Sequence, residues 1–73
     1  MEEIDTELVA DRLKKARLQK GVTGKVIERI TGINDASIYG WERGESLPSA
    51  PNLFKLAKYY RVSTDYLLGL VDA

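Results

Sequence analysis

The chain has no cysteine and no histidine among its 73 residues. The first absence excludes disulfides and thiolate-held zinc, and it is compatible with a reducing, cytoplasmic setting. The second removes the commonest general base and metal ligand at neutral pH, which argues against an enzyme and against a metal centre. Long apolar runs are missing too. The longest stretch of that kind without a charge, Tyr66 to Val71, is far too short to cross a bilayer. The start, Met1-Glu2-Glu3, has neither the basic nor the apolar region of a signal peptide. Net charge is also absent, because 11 basic and 11 acidic residues cancel.

That cancellation hides a polarised chain. Residues 1–11 carry five acidic groups and no basic one, whereas residues 12–29 carry seven basic groups and only Glu28. An acidic start and a basic end complement the dipole of a first helix. The same basic cluster is suited to nucleic acid, and the two readings stay open side by side. A chain of this size buries only about 60% of its unfolded surface, so the core is small and a single domain over 1–73 is expected.

Punctuation divides the chain into five short helices. Residues 1–4 are expected to fray. The first helix is predicted from Asp5 or Thr6 to Gln19 or Lys20, with Gly21 as its stop and Leu8, Val9, Leu13 and Ala16 on one face. Thr23 caps a second helix over 24–31, whose apolar residues are Val26, Ile27 and Ile30. Gly32 ends it, Ile33 plugs the turn, and Asn34 caps a third helix over 35–42 with Ile38 and Trp41 inward. Pro48 and Pro51 interrupt the chain, and Pro51 suits the first turn of a fourth helix over 51–60. Leu53, Phe54, Leu56, Ala57 and Tyr60 are its apolar stripe. Ser63 caps a last helix over 64–68, stopped by Gly69. The fold class is all-α.

Two helices joined by a tight turn containing glycine, over about 23–44, form a helix-turn-helix pattern. The flanks make it specific. Arg12-Leu13-Lys14, Lys20-Gly21-Val22-Thr23, Trp41-Glu42-Arg43-Gly44, Leu47-Pro48-Ser49, Leu56-Ala57 and Val62 to Gly69 follow in order. Together they resemble the Cro/repressor-type, lambda-repressor-like helix-turn-helix family of phage and bacterial regulators, over roughly residues 9–70. The resemblance implies a compact five-helix bundle and a sequence-specific DNA-binding regulator, most simply a repressor. Double-stranded operator DNA is the implied partner; no cofactor, metal or membrane is called for. In that family the chain often continues into a further domain.

The resemblance also assigns residues. The helix at 35–42 enters the major groove, where Asp35, Ala36, Ser37, Tyr39 and Gly40 are its outward positions and Asn34 stands at its edge. Ser37 and Asn34 can exchange hydrogen bonds with base edges, Ala36 can touch a thymine methyl, and Asp35 can accept from a cytosine amino group. Tyr39 can stack on the sugar-phosphate or hydrogen-bond a phosphate. Lys25 and Arg43 are candidate phosphate contacts, with a solvated surface charge as the alternative; Ser46, Ser49 and Asn52 can add neutral hydrogen bonds to phosphate, with simple turn chemistry as the alternative for the loop serines, and Thr23 is a further candidate DNA contact. Gly24 stands where the family often has a glutamine on phosphate, and its amide at a helix start can serve instead. Glu28 stands where the pattern usually has alanine, so it must reach solvent or a cation such as Arg29 or Arg43. Arg17 and Glu42 occupy the positions of a salt bridge linking the first and third helices. Tyr66, Leu67, Leu70 and Val71 are a candidate dimer interface, with closure of the monomer core as the alternative.

No arginine, lysine or glutamine lies between Asn34 and Gly40, so the third helix cannot offer arginine to guanine. A second function class therefore stays open: the same fold used as a protein–protein module, such as an antirepressor or antitoxin-like adaptor, without specific DNA binding.

Overall fold

The computed structural model describes residues 3–72. Fraying at Met1 and Glu2 lies outside the described residues. Five helices follow one another: α1 Thr6–Lys20, α2 Gly24–Thr31, α3 Asp35–Glu42, α4 Ala50–Tyr60 and α5 Thr64–Leu68. Among the described residues there is no strand, and no helix is long and apolar enough to cross a membrane.

Each helix begins at a short polar side chain. Asp5, Thr23, Asn34, Ser49 and Ser63 all accept from a backbone amide of the first turn. Such caps satisfy donors that the helix leaves orphaned. α4 starts one residue earlier than its proline suggests, because Ser49 caps it and Pro51 then falls within the first turn. Three helices end on left-handed glycines, Gly21, Gly32 and Gly69. α4 ends instead on Arg61, at φ 60°.

α1 is the central beam. It packs on α3, α4 and α5, while α2 packs on α3 and α4 on α5. Val9, Leu13 and Ala16 of α1 meet Ile27, Ile33, Ile38, Trp41, Leu53, Leu56, Ala57, Tyr60 and Leu67 in one buried cluster. Several residues on the expected apolar stripes lie outside it, and Val26 is only half-buried. Ile30 and Phe54 are each 61% exposed. They border an open groove between α2 and α4 with Thr31 and Tyr59. α2 leans on α3 and makes no comparable interface with α4, so the apolar side chains between them are left at the surface. Leu8, too, is only half-buried.

Candidate nucleic-acid interface

The turn between α2 and α3 is stiffened from several sides. Ile33 is buried in it, the amide of Gly32 donates to the Glu28 carbonyl, and that of Ile33 donates to the Thr31 hydroxyl. α3 is then fixed to α1 by Arg17. Its Nε donates to Glu42 Oε2 at 2.8 Å and its Nη2 to Oε1 at 3.0 Å. A third bond runs from Nη1 to the Val22 carbonyl at 3.2 Å. The two side chains are only 12% and 4% exposed, so each charge depends on the other. The hydrogen bond to Glu42 raises the Arg17 pKa against the opposing effect of burial.

The structure sorts the candidate site residues into three groups. Thr23, Lys25, Asn34, Ala36, Ser37, Arg43 and Ser46 are exposed. Asp35 and Tyr39 are half-buried, and Gly24 and Gly40 are buried. Gly40 therefore presents nothing outward, in contrast to its expected place on the solvent side. It is covered by the exposed Arg43–Glu45 pair, and a Cβ there would sit 3.5 Å from Glu45 Oε1 and 3.9 Å from Arg43 Nη2.

The Gly24 amide is not available to a phosphate either. It donates to the Tyr39 hydroxyl at 2.9 Å. Tyr39 thus turns back onto the start of α2 instead of projecting toward a ligand, and the Arg17 guanidinium lies 5.1 Å from its ring centroid. The Glu28 carboxylate finds neither Arg29 nor Arg43. Its Oε1 accepts from the Asp35 amide at 3.3 Å and from Lys25 Nζ at 3.4 Å. It therefore reaches across the turn to cap α3, which accounts for a charged residue where the pattern usually has alanine.

All four leading amides of α3 are consequently satisfied within the chain. Asp35 donates to Glu28, Ala36 to Asn34 Oδ1, and Ser37 and Ile38 to the Asn34 carbonyl. The capping role also occupies the side-chain oxygen of Asn34 and leaves its amide nitrogen as an outward donor. Chemistry on this face is thus carried by side chains: the Ser37 hydroxyl, the Ala36 methyl and the Asn34 amide.

Both flanking cations sit in surface ion pairs. Lys25 Nζ lies 3.5 Å from Asp35 Oδ2 as well as near Glu28, and Asp35 is the main cause of its raised pKa. Arg43 Nε lies 2.7 Å from Glu45 Oε2, a contact that holds the Glu45 carboxyl below its usual range. Exposed pairs of this kind are held loosely against water and salt, so either cation can turn to a phosphate.

In the middle of α1, Arg12 has a role that sequence reasoning missed. Its Nη1 donates to the carbonyls of Tyr66 and Val71, both at 2.6 Å, and its guanidinium lies 4.5 Å from the Tyr66 ring centroid. It ties α5 and the tail to α1. The available signal was the set of orphan carbonyls that a five-residue helix leaves at its C-terminus. Of the four candidate dimer residues, Leu67 is fully buried and closes the monomer core. Tyr66 is half-buried under Arg12, while Leu70 and Val71 are 68% and 41% exposed.

Fold and surface together define a five-helix bundle in which α2, the turn and α3 form a helix-turn-helix. The family model for "Helix-turn-helix" matches residues 13–67, and the chain belongs to that family. It is 31% identical over 65 residues to repressor protein C2 of Salmonella phage P22, an alignment covering 89% of this chain and 30% of that protein. It is 41% identical over 58 residues to the HTH-type transcriptional regulator ImmR of Bacillus subtilis (strain 168), covering 80% and 46% respectively. The chain thus spans less than half the length of these two relatives. The P22 c2 repressor protein in complex with synthetic operator 9T superposes with a TM-score of 0.79 at 31% identity, over 84% of this chain and 92% of that one. The solution structure of the P22 c2 DNA-binding domain gives a TM-score of 0.77 at 31% identity, over 89% and 86%.

Proposed function

We propose that this chain is the DNA-binding part of a transcriptional repressor. α3 lies in the major groove of operator DNA, and occupancy of that site excludes the transcription machinery; no catalytic step is involved. The observation that carries the reading is the outward face of α3. Ala36 and Ser37 are exposed there, Asn34 is exposed at its edge, and Lys25 and Arg43 flank it. This face is held on a scaffold like that of a protein solved in complex with synthetic operator. Ser37 and the Asn34 amide nitrogen suit base-edge acceptors, and the Ala36 methyl suits a thymine methyl. Lys25, Arg43, Thr23 and Ser46 suit phosphates, which position the domain without reading sequence. Two copies related by a two-fold axis, meeting through Leu70 and Val71, would read a palindrome.

Selection of bound duplexes from a random DNA pool at about 100 mM salt tests the reading. Enrichment of one half-site motif is the expected result. A folded chain that enriches nothing would overturn it in favour of a protein-binding surface on the same face.

A further inference from the structure

We propose that Tyr39 is the positioning residue that sets how α3 projects from the domain, and that Gly24 is glycine in order to make room for it. The inference deepens the DNA-reading proposal and rests on it.

Two independent facts carry it. The first is space. A Cβ on residue 24 would lie 2.6 Å from Tyr39 Cε2, 3.0 Å from Tyr39 Cζ and 3.2 Å from Asp35 Cβ. Carbon atoms rest at about 3.5–4.0 Å, so the tyrosine ring already occupies the place of a side chain at 24. Backbone conformation gives no competing reason for glycine there. Positive φ occurs at Gly21, Gly32, Gly44, Gly69 and Arg61 among the described residues, and not at Gly24. Gly24 is the first residue of α2, where glycine still loses more backbone entropy on folding than alanine does. That cost is offset by what the absent side chain admits.

The second fact is bonding. The Tyr39 hydroxyl accepts from the Gly24 N–H at 2.9 Å, satisfying a first-turn amide of α2. Arg17 lies 5.1 Å from the centre of the ring and itself grips Glu42 through two hydrogen bonds. Positions 39 and 42 are one turn apart on the same side of α3. The helix is therefore pinned at two points, to α2 through Tyr39 and to α1 through Glu42. Ala36 and Ser37 lie within a turn of the first pin. A slide or rotation of α3 that the pin prevents would carry both side chains away from the base edges they address.

A direct phosphate contact by Tyr39 makes a different prediction, and the two separate experimentally. Tyr39→Phe keeps the ring and removes the hydroxyl. With the pin lost, the Gly24 amide should exchange with solvent about three- to tenfold faster in the DNA-free protein. The ratio of selected-site to random-duplex affinity should fall by a similar factor, while affinity for random duplex holds. Gly24→Ala removes nothing that touches DNA, yet it should lower the same ratio by displacing the ring. Tyr39→Ala combined with Gly24→Ala should be no worse than Tyr39→Ala alone. Thermal melts establish that each variant is folded at the binding temperature.

Unchanged exchange at Gly24 in Tyr39→Phe would overturn the inference. So would additive effects of the alanine substitutions, or an equal loss of affinity for every duplex, which is the signature of a phosphate contact. A wild-type chain that prefers no sequence would sink the regulator reading itself. Gly24 exchange and the stability of the double variant would then show separately whether the pin exists.

Discussion

Single residues carry the clearest energetic statements. Arg17 and Glu42 are nearly excluded from solvent and satisfy each other through two bonds. Removing one partner strands a buried charge, so Glu42→Gln should cost about 3 kcal/mol in urea denaturation, toward the lower end for buried pairs because Arg17 keeps some solvent access. Tyr60 is the opposite case. Its hydroxyl is buried with no protein hydrogen-bond partner among the described residues. Burial first, and then the negative charge of Glu42, pushes its pKa well above the ordinary tyrosine range. The folded state thus holds the phenolic proton more tightly than the unfolded chain does. That stability is fully present below about pH 10 and is lost as pH rises beyond it. Tyr60→Phe should be as stable as the parent, or up to about 1 kcal/mol more stable, at neutral pH. It should also lose less stability than the parent between pH 9 and 11. Thermal melts across that range check both statements.

The helices were legible in the sequence because their ends are written in local chemistry. Asp5, Thr23, Asn34 and Ser63 mark four of the starts, Pro51 marks the fifth to within a residue, and Gly21, Gly32 and Gly69 mark three of the ends, so the expected bounds hold to within a residue. Ser63→Ala should therefore cost about 1 kcal/mol and melt α5 first, seen as faster amide exchange at Leu67. What pattern could not give was the long-range partner. Ile30 and Phe54 have helical spacing, but whether a neighbouring helix covers them depends on how α2 leans. Tyr39 and Gly24 each looked available for phosphate until the fold brought them together. The end of α4 falls at Tyr60 as expected, but the residue that stops it carried no signal, because Arg61 takes a left-handed conformation usually left to glycine. That conformation costs an arginine about 1–2 kcal/mol. Arg61→Gly relieves it and adds somewhat less in unfolded-state entropy, so a net gain of about 0.5 kcal/mol is expected from denaturant midpoints.

At the scale of the whole molecule, zero net charge is the feature that distinguishes this chain from a generic DNA-binding domain. Opposed charges are paired on the face proposed to meet DNA. Lys25 is shared between Asp35 and Glu28, and Arg43 is held by Glu45. Each cation that turns to a phosphate leaves a carboxylate behind on the same face. Affinity for duplex DNA should therefore fall only shallowly with salt, corresponding to about 3–5 phosphates per monomer. Glu45→Gln should raise affinity several-fold for every duplex at low salt, with the gain fading as salt rises. On the proposed reading, specificity comes from the few neutral groups on α3. The most direct measurement is a repeat of the selection with Ser37→Ala alongside the parent chain. The expected result is a motif that relaxes at one base pair per half-site and is otherwise retained. An unchanged motif, or a uniform loss of affinity with no positional change, would contradict the assignment of α3 as the reading helix.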